Sequence, residues 1–60
     1  MQDRYIKIRE VISIVAKSRP SIYTAMAKGE FPKQYHIGEK SVAWKLSEVN
    51  EWVESRLYSQ

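Results

Sequence analysis

The sequence predicts a small, mainly α-helical fold with one β-hairpin, in the order helix, helix, hairpin, helix. Three features predict it. Apolar residues recur at helical spacing in three separate segments. A serine and a proline mark the start of the second segment, and a glycine follows its end. Two short runs of alternating polarity surround a glycine-containing turn between the second and third segments, which is typical of a hairpin.

Length and composition narrow the class of protein. The chain has 60 residues and no cysteine. A chain of this length is expected to form a single domain, residues 1–60, with a small core. Because His36 is the only histidine and there is no cysteine, no metal or other cofactor is expected. No apolar run approaches the roughly 18 residues of a membrane span, and the N-terminus lacks the apolar centre of a signal peptide, so a cytoplasmic protein without a membrane partner is expected.

The first helix follows directly from apolar spacing. The apolar residues from Ile8 to Val15 are spaced i, i+3, i+4 and i+7, which predicts helix 1 over about residues 8–16. Tyr5 and Ile6 are expected to be extended before this helix.

Helix 2 is predicted over about residues 18–28. Ser18 is a typical N-cap, because its hydroxyl can accept a hydrogen bond from an unpaired N–H of the first turn. Pro20 lies in that turn, where a proline removes no intrahelical hydrogen bond. Gly29 ends the helix, at a point where a left-handed residue is usual. Only a tight turn separates helices 1 and 2, which is a helix-turn-helix arrangement.

A β-hairpin is predicted next, over about residues 33–45, with Gly38, Glu39 and Lys40 at its turn. Helix 3 follows the hairpin, with Ser47 as its N-cap. His36 is expected to point outward from the hairpin. The inward face of the hairpin is expected to carry Tyr35, Ile37, Val42 and Trp44.

The predicted core combines the apolar stripes of the three helices with the inward face of the hairpin. Both tryptophans fall within apolar periodicities, so packing in the core is favoured over stacking on bases. The predicted core residues are Ile8, Val11, Ile12, Val15, Ile22, Met26, Phe31, Trp44, Val49, Trp52 and Val53.

The charge distribution favours a polyanionic partner. Residues 1–45 carry nine Lys or Arg against four Asp or Glu, whereas residues 46–60 carry one against three. A basic surface of this kind is typical of nucleic-acid-binding proteins, although many small domains are mildly basic. Lys7, Arg9 and Lys17 are expected to be solvated, with at most peripheral DNA contacts.

The outward face of helix 2 is small and polar. Pro20, Thr24 and Ala27 point away from the apolar stripe, so the helix could approach the major groove of DNA closely. Arg19 at the helix start could contact a guanine edge or a phosphate. An ordinary solvated helix face would show the same pattern. The following hairpin favours DNA binding, because it would act as a wing with Lys40 at its tip.

The segment from Tyr5 to Leu57 resembles the AlpA-type phage regulators, relatives of small excisionases with MerR-like winged-helix folds. The resemblance rests on SRPSIY, KGEFPK, IGEKSVAW and SEVNEWVESR, in that order. It implies a winged helix-turn-helix protein of a prophage or genomic island, acting at the bacterial nucleoid. Such a protein binds double-stranded DNA to control transcription, often of an integrase gene, or to direct excision.

The resemblance also implies a set of DNA-contacting residues. Thr24 stands where the family often has a basic residue, and Lys40 stands where its wing usually has an arginine. Ala16 and Lys17 replace a frequent Gly-Leu pair in the turn. The implied DNA-binding residues are Ser18, Arg19, Ser21, Tyr23, Thr24, Lys28 and Lys40.

Alternatives to DNA binding differ in class. The sequence has no nucleophile–base pair and no phosphate-binding glycine loop, so an enzyme is not expected. A protein-interaction module of the same fold, binding a recombinase or another regulator, is the main alternative, and it should expose an apolar patch. The oligomeric state is open, and cooperative binding to adjacent DNA sites would strengthen the weak binding expected of one small domain.

Overall fold

A computed structural model describes residues 3–58 of the chain, with three helices and three short strands. The predicted helices and the hairpin are present, and the arrangement is compatible with a winged-helix-like fold. The elements, in chain order, are β1 (Tyr5–Ile6), α1 (Ile8–Val15), α2 (Arg19–Ala27), β2 (Tyr35–His36), β3 (Val42–Lys45) and α3 (Leu46–Tyr58).

The ends of α1 and α2 are set by local backbone geometry. Ala16 adopts a left-handed conformation (φ 57°) and its N–H donates to the carbonyl of Ile12 at 2.9 Å, which closes α1. Ser18 is the N-cap of α2, as predicted, and Gly29 follows the helix with a φ of 73°. Glycine adopts this conformation without the steric cost that Ala16 carries. Only three residues, 16–18, separate α1 from α2.

The sheet has three strands, one more than predicted. β3 lies in the centre and pairs antiparallel with both β1 and β2. Tyr5 is opposite Lys45, and Ile6 is opposite Trp44. The segment before α1 was expected only to be extended. It becomes a strand because β3 offers it an unpaired edge, on the side away from β2.

The predicted face assignment of the hairpin is wrong. Tyr35 is opposite Ala43, so these two residues share one face of the sheet, and Trp44 lies on the other face. Ile37, predicted to pack inward, is 49% exposed. Ala43 and Trp44 are both buried, so β3 is covered on both faces. An alternating pattern indicates only one covered face and could not reveal this arrangement.

The core agrees with the prediction in its centre and differs at its edges. Ile6 and Ala43 are buried although neither was predicted. The predicted residues that are buried are Val11, Ile22, Phe31, Trp44 and Val49. The predicted residues that are only partly buried are Ile8, Ile12, Val15, Met26, Trp52 and Val53.

Two tryptophans hold the segment between α2 and β2. The Trp44 indole N–H donates to the carbonyl of Pro32 at 3.2 Å, and the Trp52 indole N–H donates to the carbonyl of Glu30 at 2.8 Å. The Phe31 ring meets the Trp52 ring edge-on, with centroids 5.0 Å apart. Because both indole N–H groups have partners, both rings pack with their polar atoms satisfied.

The start of α3 differs from the prediction. Ser47 is not the N-cap, because the helix already begins at Leu46. The Leu46 N–H donates to the carbonyl of Arg4, while the Ser47 N–H and hydroxyl donate to the two carboxylate oxygens of Asp3, at 3.2 and 2.7 Å. Asp3 therefore caps α3 from a distant part of the chain. The hydrogen bond from the Ser47 side chain is the main cause that lowers the pKa of Asp3 below its ordinary value of 3.8.

Removing the Asp3 carboxylate should destabilise the protein in a pH-dependent manner. Asp3→Ala is expected to lower the melting temperature at neutral pH, because the first turn of α3 loses its acceptor. Because the pKa of Asp3 is lower in the folded state than its ordinary value of 3.8, the ionised carboxylate stabilises the folded protein at pH values above 3.8. This stabilisation is lost as the pH falls through the pKa of the folded state. The difference between wild type and variant, followed by circular dichroism, should therefore shrink in acid. A pH-independent difference would contradict the capping role.

The two tryptophans should differ in their contribution to stability. Trp44 is fully buried, so Trp44→Ala is expected to cost about 3–5 kcal/mol, comparable to the whole stability of a small domain. Trp52 is only partly buried and should cost less. Urea unfolding followed by circular dichroism should show a cooperative transition for Trp52→Ala and a weakened or absent one for Trp44→Ala. The reverse order would be inconsistent with this packing.

Candidate nucleic-acid interface

α2 leaves most of its surface exposed. It buries only Ile22, while Ala25 and Met26 are partly buried. A helix that served mainly to complete the core would bury a wider apolar stripe. The exposed residues of α2 are Arg19, Pro20, Ser21, Tyr23, Thr24 and Ala27.

The hydroxyl groups at the start of α2 have different roles. The Ser18 hydroxyl accepts from the Ser21 N–H at 3.3 Å and donates to the Ser21 hydroxyl at 3.0 Å. Ser18 is therefore engaged in capping the helix. The Ser21 hydroxyl receives this bond and keeps its own hydrogen for an acceptor outside the helix. Of the two serines, Ser21 is the better placed to donate to a ligand.

Tyr23 joins the exposed face of α2 to the core. Its ring meets the buried Trp44 ring edge-on, with centroids 6.3 Å apart and planes at 69°. The residue is still 37% exposed. One side of the tyrosine is thus held by the core while the remainder is accessible to a partner, a combination typical of tyrosines at interfaces.

The predicted cationic residues lie at three places on the surface. Arg19 is the first residue of α2, and Lys28 follows its last turn with its N–H on the carbonyl of Thr24 at 3.1 Å. Lys40 lies in the turn of residues 37–41, which an Ile37 N–H to Ser41 carbonyl hydrogen bond of 3.0 Å closes. All three cations are exposed, and none forms an ion pair with another residue of the described segment 3–58.

Two other cations, Arg4 and Lys45, already contact side chains of the protein. The Arg4 guanidinium lies 3.4 Å from the Glu10 carboxylate. The Lys45 ammonium lies 5.0 Å from the centre of the Tyr35 ring, and Tyr35 donates its hydroxyl to Glu48 at 2.9 Å. This hydrogen bond favours the protonated tyrosine and is the main cause that raises its pKa above the ordinary value of 10.0.

A shallow depression lies along the flank of α2. Ser21, Thr24 and Lys28 line it together, so three of the predicted DNA-binding residues share one continuous surface. Lys40 does not line it. Lys17, predicted to be solvated, is exposed and also lines it. The spacing of residues 17, 21, 24 and 28 continues one face of α2 through the turn that precedes it.

Between residues 3 and 58, no group of three or more His, Asp or Glu residues is arranged to hold a metal ion. In the same segment, every helix is too short or too polar to cross a membrane.

Three helices and a small antiparallel sheet place the chain in a class of small, mainly α-helical proteins that is compatible with a winged-helix-like fold. Within that class, the chain belongs to the family of the prophage CP4-57 regulatory protein (AlpA), whose family model matches residues 4–57. The predicted family resemblance is confirmed, and the family is one of prophage regulators. The chain is also 43% identical over 56 residues to the uncharacterized protein ORF88 of Enterobacteria phage P4. The match covers 93% of this chain and 64% of the length of that relative.

Loss of the Ser18 hydroxyl should destabilise the protein more than loss of the Ser21 hydroxyl. Ser18→Ala is expected to destabilise the protein by about 1 kcal/mol, because the cap of α2 is lost. Ser18→Asn should restore much of the stability, since asparagine is also a good N-cap. Ser21→Ala is the matched control, because its hydroxyl does not cap the helix. Urea unfolding compares the variants, and equal effects at the two serines would contradict the assigned roles.

Proposed function

We propose that the chain, residues 1–60, is a winged helix-turn-helix domain that binds specific double-stranded DNA and regulates prophage or genomic-island transcription. The observation that carries this proposal is α2, which exposes a small, polar face bounded by cations that form no ion pair within residues 3–58. An α-helix of this kind fits the major groove of B-DNA, where base edges can be distinguished. Membership in a family of prophage regulators supports the same function.

The residues of α2 divide between base and backbone contacts. Arg19 lies at the first position of the helix, and its guanidinium is long enough to bind guanine O6 and N7 as a bidentate donor. Ser21 and Thr24 can donate to base edges or to phosphate oxygens. Ser18 contributes mainly by capping α2, whose N-terminal N–H groups favour a nearby phosphate. Tyr23 can give its hydroxyl to a phosphate while its ring rests on Trp44.

The hairpin of β2 and β3 acts as the wing. Lys40 lies in its turn and is exposed, so its ammonium group can bind a backbone phosphate beside the minor groove. An ammonium group is a point charge without the bidentate geometry of arginine. Lys40 therefore contributes affinity more than sequence preference.

We further propose a role in the expression of an integrase gene or in excision. Control of an integrase gene, or assistance to excision through contact with a recombinase, would suit a DNA-binding domain of a prophage regulator. One copy of a domain this small makes few phosphate contacts, so binding to a single site is weak. Adjacent sites or a protein partner would strengthen it.

Arg19 and Lys40 should differ in how their loss affects DNA binding. Arg19→Ala is expected to cost about 1–3 kcal/mol on the preferred sequence and to narrow the difference from scrambled DNA. Lys40→Ala should weaken binding to all sequences alike and reduce the salt slope by about one unit. The preferred duplex is first selected from a random pool, and fluorescence anisotropy is then measured at several KCl concentrations.

Two controls make this test decisive. Arg9→Ala removes an exposed cation from α1, outside the proposed interface, and should leave sequence preference intact. Circular dichroism verifies that each variant is folded. Salt-insensitive and equal binding by wild type, Arg19→Ala and Lys40→Ala would reject α2 as the recognition helix and favour a protein-interaction module.

A further inference from the structure

We infer that Lys17 and Lys28 together form a binding site for one phosphodiester group of the DNA backbone, with Thr24 as a hydroxyl donor between them. This site rests on the proposed function and adds to it a backbone contact on the flank of α2. It gives Lys17, a residue of the turn between α1 and α2, a defined role in binding.

The geometry of the depression supports this assignment. Lys17, Thr24 and Lys28 line the same surface, together with Ser21. The two lysines lie at opposite ends of the helix, one before its first residue and one after its last. The hydroxyl-bearing residues lie between them along the helix. The surface thus offers positive charge at both ends and neutral hydrogen-bond donors in the middle, a combination suited to the oxygens of a phosphate.

The charges of the depression match a single phosphodiester. Glu30 also lines it, so two ammonium groups face one carboxylate and leave a net charge of +1. The backbone at Glu30 is fixed, because its carbonyl accepts from the Trp52 indole at 2.8 Å and from the Arg56 guanidinium at 3.4 Å. Glu30 is therefore held beside the depression, and its carboxylate reduces the attraction for a phosphate.

The position of the site fits the proposed orientation of α2 on DNA. A helix that enters the major groove has a sugar-phosphate backbone along each flank. The depression lies on such a flank, since Thr24 and Pro20 belong both to it and to the exposed face of α2. When that face approaches the bases, the lysines approach a phosphate. Residues 17 and 28 then fix the register of the helix along the groove while Arg19 contacts a base.

Four single substitutions and one double substitution test the site. Lys17→Gln and Lys28→Gln should each flatten the plot of log affinity against log salt by up to about one unit, because a phosphate contact is lost. The double variant should be little flatter than either single variant, since both lysines bind the same phosphate. Glu30→Gln should bind more tightly, because it removes a carboxylate beside that phosphate.

Lys33→Gln is the matched control for a simple loss of charge. Lys33 is exposed and lines a different groove, which Glu48 and Glu51 also line. Its substitution should change affinity much less than that of Lys17. All variants are titrated against a short mixed-sequence duplex by fluorescence anisotropy at several KCl concentrations, after circular dichroism shows that each is folded. A phosphate contact does not depend on sequence, so the selected site is not needed here.

The outcomes separate the phosphate site from the proposed function. If Lys17→Gln weakens binding no more than Lys33→Gln does, the phosphate site is rejected, while loss of sequence preference in Arg19→Ala would still support DNA binding. Fully additive effects of the two lysines would also overturn a shared phosphate. Sodium phosphate, added at constant ionic strength, should not displace the duplex. Displacement at low phosphate concentrations would assign the site to a small phosphate ligand instead of the DNA backbone.

Discussion

The buried indole of Trp44 is the contact on which the rest of the structure depends. It lies opposite Ile6 of β1, meets the ring of Tyr23 on α2 and donates to the carbonyl of Pro32. One side chain of the central strand thus joins the edge strand, the exposed helix and the segment that follows that helix. The consequence is geometric: the hairpin that carries Lys40 and the helix that carries Arg19 are held by the same residue.

This arrangement explains how a short chain can leave one helix so exposed. α2 buries only Ile22 fully, which by itself would hold a helix weakly. Its helical conformation is stabilised locally at both ends, with the Ser18 cap at the start and the left-handed Gly29 at the end. The Tyr23 ring adds a contact with the core without burying the outer face. α2 is therefore held by a narrow apolar stripe and by Tyr23, which leaves small and polar side chains available to a partner.

The parts of the fold that could be predicted are those with local causes. The caps at Ser18 and Gly29 act within a few residues, so the sequence around them is sufficient to place α2. The strand β1 and the cap at Asp3 depend on contacts with β3 and α3, some 40 residues away in the chain. A two-residue strand has no alternation to detect, and a carboxylate that caps a distant helix has no sequence signature. The register of the hairpin was missed for a related reason, because β3 is covered on both faces.

In the candidate interface, too, the sequence predicts some features and not those that depend on contacts between distant residues. The net charge of a segment does not show which of its cations are free to bind a phosphate. The basic excess of residues 1–45 includes Arg4 and Lys45, yet Arg4 lies beside Glu10 and Lys45 lies over Tyr35. A cation engaged in this way must break an existing contact before it can bind a phosphate, which reduces its contribution to affinity. Arg19 and Lys28 make no ion pair within residues 3–58, so neither has to break one before it binds a phosphate. The strength of DNA binding should therefore follow the cations around α2 and the hairpin turn, and not the total charge of the chain.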